Sequence, residues 1–177
     1  MYYTTIYQSP LGPLTLACQD DALIGLWMEG QKYFGEGLPA GPPICGSSAV
    51  LSAAENWLDR YFSGEKPNPQ ELTLRPAGTP FRQVLWKLLC EIPYGETTTY
   101  GKLARNAAQQ MHRPSMSGQA VGGAVGHNPI SIIIPCHRVV AANGSLAGYA
   151  GGIERKLQLL TLEGVDISRL HMPAGMH

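Results

Sequence analysis

With 177 residues, 44% hydrophobic and 15% charged, the chain is long enough to bury one large core or two small ones, and no long polar tract marks it as disordered. Its apolar runs fall far short of the ~18 residues needed to cross a bilayer, and no basic segment leads into an apolar one at the amino terminus. Membrane and secreted classes are thereby set aside, and the expected compartment is the cytoplasm, or the nucleus in a eukaryote. The formal net charge of zero conceals a split: residues 1–79 hold 4 Lys/Arg against 8 Asp/Glu, whereas 80–177 hold 9 against 5. An acidic half joined to a basic half suits a protein whose second half meets a polyanion, with chance segregation of surface charge as the alternative.

In chain order, residues 2–7, 14–18 and 23–28 read as short strands separated by Ser9-Pro10-Leu11-Gly12-Pro13 and Asp20-Asp21, a small antiparallel meander. Glycine and proline then thicken from Glu29 to Gly46, and periodicity disappears, which predicts a loop. Ser47 or Ser48 caps a helix whose apolar residues Val50, Leu51, Ala54, Trp57, Leu58, Tyr61 and Phe62 recur at three and four and which ends at Ser63-Gly64. Residues 71–74 read as a last strand, and 75–80, with Gly78 and two prolines, as the domain boundary. Domains are expected at 1–76 and 80–170, with a tail at 171–177.

The second half opens with a helix carrying Phe81, Val84, Leu85, Leu88, Leu89 and Ile92, stopped by Pro93-Tyr94-Gly95. One of Thr97, Thr98 and Thr99 caps a helix with Leu103, Ala104, Ala107 and Ala108, and after a loop around Arg113-Pro114-Ser115 a Gly- and Ala-rich helix runs from Ser117 to Gly126. Two short helices joined by a turn, the second without bulky side chains, suit either a helix-turn-helix against a nucleic-acid backbone or a generic helical hairpin. The apolar run 130–134 reads as a buried strand, followed by a hairpin through Asn143-Gly144 and a final helix with Ile153, Leu157 and Leu160, closed by Glu163-Gly164.

At the end of that apolar run stands Pro135-Cys136-His137-Arg138-Val139-Val140. The other cysteines, Cys18, Cys45 and Cys90, are scattered without disulfide or zinc spacing, so all four read as reduced thiols. A free thiol, with a pKa near ~8.5, needs a base or a positive neighbour to become a nucleophile. His137 and Arg138 are adjacent, and Glu163 could orient the imidazole. Neighbours on a strand point to opposite faces, so a relay through water is the preferred link between Cys136 and His137. A metal half-site, a core thiol beside a solvated histidine, and a Cys-His acyl-transfer enzyme stand as alternatives.

PCHRVV, preceded by AVGGAVG and GHNPISIII and followed by GYAGG and a helix ending LLTLEG, resembles the O6-alkylguanine-DNA alkyltransferases, also called methylated-DNA–protein-cysteine methyltransferases. With IPYGETTTYGKLA, the resemblance runs from residue 81 to about 166. The first half is more loosely similar, through its SPLG turn. The resemblance implies an α+β chain: a small ribonuclease H-like α/β domain with an antiparallel sheet and helix, then a winged helix-turn-helix. It implies double-stranded DNA containing O6-alkylguanine as partner, with O4-alkylthymine a further candidate, and no cofactor, metal or obligate protein partner.

In that family the protein binds the minor groove, rotates the damaged nucleotide out of the stack and moves the alkyl group irreversibly to cysteine. Carried over by motif, Cys136 is the acceptor, His137 its base through water, Glu163 the group that holds the imidazole, and Asn128 the brace of the bend. Tyr100 would donate its hydroxyl to guanine N3. The carbonyls of Cys136 and Val139 would accept the guanine amino group, and Tyr149 would cover the pocket and offer its N–H to O6. Ala150 stands in the same pocket where some relatives carry serine. Gln119, Ala120, Gly122, Gly123 and Arg138 would meet DNA. Gln119 replaces an arginine that in many members fills the gap left by the flipped nucleotide, and it lacks the charge and planar stacking surface of guanidinium. Segment 109–117 is several residues longer than the family's compact turn, and His112 and Arg113 within it are either phosphate contacts or solvated. A relative that recognises damage without repairing it generally lacks the cysteine that is present here.

Overall fold

The computed structural model describes residues 1–173, and the chain divides into two compact units. The first contains Met1–Ala77 together with Pro129–Ile133, and the second contains Gly78–Asn128 and the chain from Ile134 onward. Among the described residues no helix is long and apolar enough to cross a membrane.

In the first unit β1 (Tyr3–Ser9), β2 (Gly12–Gln19) and β3 (Ala22–Met28) form the meander, in register Tyr3↔Cys18 and Leu14↔Met28. The loop expected at 29–46 contains one further strand, β4 (Ile44–Cys45), which pairs in parallel with β1. The sheet is therefore mixed, order β3-β2-β1-β4, and not purely antiparallel. Two residues are too few to leave a period in sequence. Helix α1 (Ala49–Phe62) starts at Ser48, whose hydroxyl accepts the Leu51 N–H at 3.2 Å, and buries Leu51, Ala54, Trp57, Leu58 and Tyr61. Each large side chain so buried contributes roughly 2 kcal/mol, so this stripe holds the helix to the sheet.

The outer edge of β3 is covered twice, in parallel, by single bridges from Leu74 to Leu23 and from Ile130 to Leu26. These stand where the sequence predicts full strands at 71–74 and 130–134. Pro69–Glu71 is instead a 3-10 turn. Around Ile132 the Ile133 N–H returns to the Ser131 carbonyl at 2.8 Å with φ of 71° at Ile132, a γ-turn of the rarer positive-φ form. A β-branched residue there is strained by on the order of 1–3 kcal/mol. Full burial of its neighbours and the bonds Leu26 N–H to Pro129 O and Ser131 N–H to Leu26 O hold it.

In the second unit α2 (Pro80–Cys90), capped by Thr79, packs on α3 (Tyr100–Gln110) and α4 (Gly118–Gly126), and the buried Trp86 indole donates to Ala124 O at 2.8 Å. Thr99 and Ser117 cap α3 and α4. The expected hairpin does not form. Val139–Val140, β6, pairs in parallel with Thr98–Thr99, β5, while the turn at Asn143 is crossed by the stretch expected as a tail, Leu146 N–H donating to His171 O at 2.9 Å. Residues 174–177 of that stretch lie outside the described residues. Helix α5 (Ile153–Leu162) ends at Glu163, with Gly164 in the left-handed conformation, as glycine after a helix commonly is.

Candidate active site

Pro135, with φ −82° and ψ 65°, and the Cys136 N–H on Ile134 O at 2.8 Å make an inverse γ-turn. The chain then closes one 3-10 turn, Cys136–Arg138. At three residues per turn the side chains radiate and do not alternate. The opposition of Cys136 and His137 expected for a strand is thus replaced by a turn that faces both inward.

Asn128 follows α4 and is buried. Its amide donates to Ile134 O at 2.8 Å and to Cys136 Sγ at 3.2 Å, so it holds both the backbone before the turn and the sulfur itself. Burial pushes the Cys136 thiol up; the Asn128 bond and the charge of Lys156 act against that. At rest the sulfur carries its proton and needs a base.

His137 is 0% exposed, and its Nε2 lies 2.6 Å from Glu163 Oε2. Burial drives the imidazole below its ordinary pKa, against the pull of Glu163, so it is neutral. A carboxylate accepts, so Nε2 carries the proton and Nδ1 presents its lone pair. Nδ1 has no hydrogen-bond partner among the described residues, and it is the ring atom available to take a proton.

Glu163 accepts from His137 Nε2, from Arg138 Nε at 2.7 Å and Nη2 at 3.1 Å, and from the Gly95 N–H at 3.1 Å. Burial alone would raise its pKa, but the hydrogen bonds from His137 and Arg138 and the charge of Arg138 outweigh that and hold it below the usual carboxylate range. Gly95 fits because its φ is +83° and a Cβ there would meet Glu163 O at 3.0 Å.

Arg138 corrects an expectation. Expected on DNA, it is 5% exposed; its remaining nitrogen Nη1 donates to Ile92 O at 2.6 Å, and Tyr94 lies 5.8 Å from its guanidinium carbon. Its charge is used inside, against Glu163.

Lys156 is a site residue that sequence reasoning missed. It is 0% exposed and donates to Val139 O at 2.6 Å and Ala147 O at 3.5 Å. Burial pushes it down to about 8. The signal was present: Lys156 occupies the i+3 place of the stripe Ile153, Leu157, Leu160, and two turns later the same face carries Glu163. With Arg138 and Lys156 charged, Glu163 ionised and His137 neutral, the groups around the thiol carry a surplus of positive charge, which favours a thiolate once its proton has left.

Tyr100, at the start of α3, donates to Ala147 O at 3.3 Å, and burial pushes its phenol up to about 12, so it remains a donor. Gly148, φ +96°, permits this approach: a Cβ there would lie 2.7 Å from the Tyr100 hydroxyl oxygen. The Val139 carbonyl already accepts Lys156 and keeps one lone pair, while the Cys136 carbonyl accepts the Val139 N–H. Tyr149 is buried edge-on to the His137 ring, centroids 6.5 Å apart, and Ala150 beside it is half-buried.

Helix α4 buries Val121, Ala124 and Val125 and exposes Gln119, Ala120 and Gly123, with Gly122 half-buried. A Cβ added at Gly118, Gly122, Gly123 or Gly126 would meet nothing within 4 Å. Each glycine costs the helix about 1 kcal/mol relative to alanine, and packing within the protein does not require it. No Asp or Glu occurs between Thr97 and Ile153, so α3, α4 and the segment joining them carry no carboxylate.

The chain matches two family models, one described as the 6-O-methylguanine DNA methyltransferase ribonuclease-like domain over residues 1–76 and one as its DNA binding domain over residues 80–165. It is 46% identical over 164 residues to the methylated-DNA--protein-cysteine methyltransferase of Mycobacterium tuberculosis (strain H37Rv), covering 92% of each chain. Identity to the Methanosarcina acetivorans protein of the same name is 42%, covering 93% of this chain and 99% of that one. Among solved structures it is similar to Mycobacterium tuberculosis OGT in complex with DNA, with TM-score 0.75, 42% identity, and coverage of 98% of this chain and 95% of that one.

Proposed function

The chain belongs to the 6-O-methylguanine DNA methyltransferase family, and from that premise we propose that it repairs O6-alkylguanine in double-stranded DNA by moving the alkyl group onto Cys136. The observation that carries this is the junction of Cys136, held by Asn128, with a neutral His137 whose Nε2–H is committed to Glu163. A relative solved in complex with DNA supports the choice of partner, as do the glycines of α4 that have no internal reason to be glycine.

The steps follow from the residues. Helix α4 lies against the groove, Gln119 occupies the space left by the rotated nucleotide, and Ala120, Gly122 and Gly123 allow close contact. The Cys136 proton passes through water to His137 Nδ1, and Glu163 stabilises the imidazolium. The thiolate attacks the alkyl carbon, a carbon–sulfur bond forms, and the bond to O6 breaks with its electron pair leaving on guanine. Tyr100 donates to guanine N3, Tyr149 N–H to O6, and the carbonyls of Cys136 and Val139 accept the amino group, so charge developing on the departing base is met by fixed dipoles. Ala150 lines the pocket and offers no side-chain donor.

A thioether is a poor leaving group, so one protein molecule repairs one lesion. Four thiols without a disulfide suit a reducing compartment, the cytoplasm, or the nucleus in a eukaryote. Titrating a duplex containing O6-methylguanine with protein tests this: repair that stops at one lesion per protein molecule supports it. Repeated turnover, or lesion binding without loss of the methyl group, overturns it.

A further inference from the structure

Segment 109–117 and α3 together form a second feature of the DNA-binding half that the chemistry at Cys136 does not use. An open groove of about 440 Å³ runs between them, with Gly101, Ala104 and Ala108 as its floor and Arg105, Arg113 and Ser115 among its walls. We propose that this groove is a cradle for a DNA backbone phosphate, a contact additional to the face of α4. The inference rests on the reading of the chain as a DNA alkyltransferase.

The floor follows from sequence: Gly101, Ala104 and Ala108 stand at i, i+3 and i+7 on one face of α3, and their small side chains leave the space. The walls are held in place. Helix α3 ends in a Schellman closure, with Arg113 N–H on Ala108 O at 2.8 Å and His112 N–H on Gln109 O at 3.3 Å. His112 takes φ 54°, where glycine is usual, at a cost of roughly 1–2 kcal/mol. That strain turns Arg113 back toward the helix that carries Arg105, and Pro114 stiffens the exit. Segment 109–117 is thus an ordered structure that brings Arg113 to the groove.

Charge points to the occupant. No acidic side chain lines the groove, and neither Arg105 nor Arg113 has a side-chain hydrogen bond or ion pair among the described residues, in contrast to Arg138. Guanidinium pairs bind phosphate oxygens through paired N–H groups, and Ser115 and Gln109, also in the lining, add the neutral donors common at backbone contacts. An open trough suits a strand running through it. Complementing the carboxyl end of α3 would account for Arg113, but not for Arg105, which lies more than a turn inside the helix.

The test is the salt dependence of binding to undamaged duplex between about 50 and 200 mM salt, for the parent protein, Arg105→Gln, Arg113→Gln and Arg113→Lys. Each neutral variant is expected to weaken binding for every sequence alike and to flatten the slope of log affinity against log salt by about 0.9. The lysine variant retains the slope. The ratio of duplex repair to reaction with free O6-benzylguanine, which has no phosphate, falls in both neutral variants. Unchanged slopes in both, with the parent repairing duplex DNA, overturn the cradle and leave the alkyltransferase reading intact. A lower melting temperature with an unchanged slope reduces Arg113 to a helix cap and overturns it too, as does saturable binding of inorganic phosphate with unchanged slopes. A parent protein that reacts with neither duplex nor free base overturns the reading on which the cradle rests.

Discussion

His137 and Glu163 meet at 2.6 Å with neither side chain exposed, and the carboxylate is held on its other side by Arg138 at 2.7 Å. This relationship fixes the proton on Nε2 and leaves Nδ1 as the base, while burial, against the pull of Glu163, keeps the imidazole neutral at rest.

Replacing Glu163 with glutamine places an amide N–H where a carboxylate oxygen met Nε2. The imidazole then takes its proton on Nδ1, and the base is lost. Alkyl transfer is expected to slow about 10²–10⁴-fold in single-turnover assays, while affinity for undamaged duplex, measured by anisotropy, stays close to the parent value. The variant also leaves Arg138 without its counter-charge, so a urea melt should show a loss of roughly 3 kcal/mol. Equal losses in rate and DNA affinity would reduce Glu163 to a structural role.

Gly148→Ala puts a methyl group 2.7 Å from the Tyr100 hydroxyl oxygen, at φ +96°. The phenol must move off Ala147 O. A rate loss of about tenfold is expected, against about 10²–10³-fold for Tyr100→Phe, which removes the donor altogether. Full activity in both variants would remove Tyr100 from the chemistry.

Lys156 makes a pH-dependent contribution whose sign can be worked out. Its pKa is pushed down from the ordinary 10.5 to about 8 in the folded protein, so between these values the unfolded chain binds more protons and stability rises with pH. Below about 8 both states are protonated and the contribution is flat. Lys156→Met should remove a rise of on the order of 3 kcal/mol between pH 8 and 10.5, read as the difference between the two proteins' urea melts. Both proteins carry Cys136→Ala in this comparison, because the charge of Lys156 also acts on the Cys136 thiol and its loss would shift that titration. Parallel stability curves would show that Lys156 is not titrating in the fold.

Gln119 is exposed at the first turn of α4. Gln119→Arg adds a charged plane for stacking, worth roughly 1 kcal/mol or about fivefold, and should raise duplex repair more than reaction with free alkylguanine. Unchanged duplex repair would move the gap-filling role elsewhere.

How much of this was legible in sequence depends on whether an element leaves a period. The stripe of α1 and that of α2 did, and Ser48 and Thr99 cap their helices from among the hydroxyl residues expected there, whereas the caps Thr79 and Ser117 were not singled out. Residues 130–134 carried the composition of a buried strand, but composition cannot distinguish a ladder from a γ-turn at Ile132 followed by an inverse γ-turn at Pro135; both are equally apolar. β4 was too short to show. At the site, the family resemblance assigned Arg138 to DNA, whereas the partner that decides its position, Glu163, is 25 residues away. Lys156 was hidden in a helix read only for its leucines.

The central claim is that Cys136 is the one-use alkyl acceptor, and the most direct measurement is the intact mass of the protein after incubation with an oligonucleotide containing O6-methylguanine, followed by peptide mapping. The expected result is a gain of one methyl group, located on Cys136 and absent from a folded Cys136→Ala variant. A methyl group on another cysteine, or no gain from folded protein that binds the lesion, would contradict it.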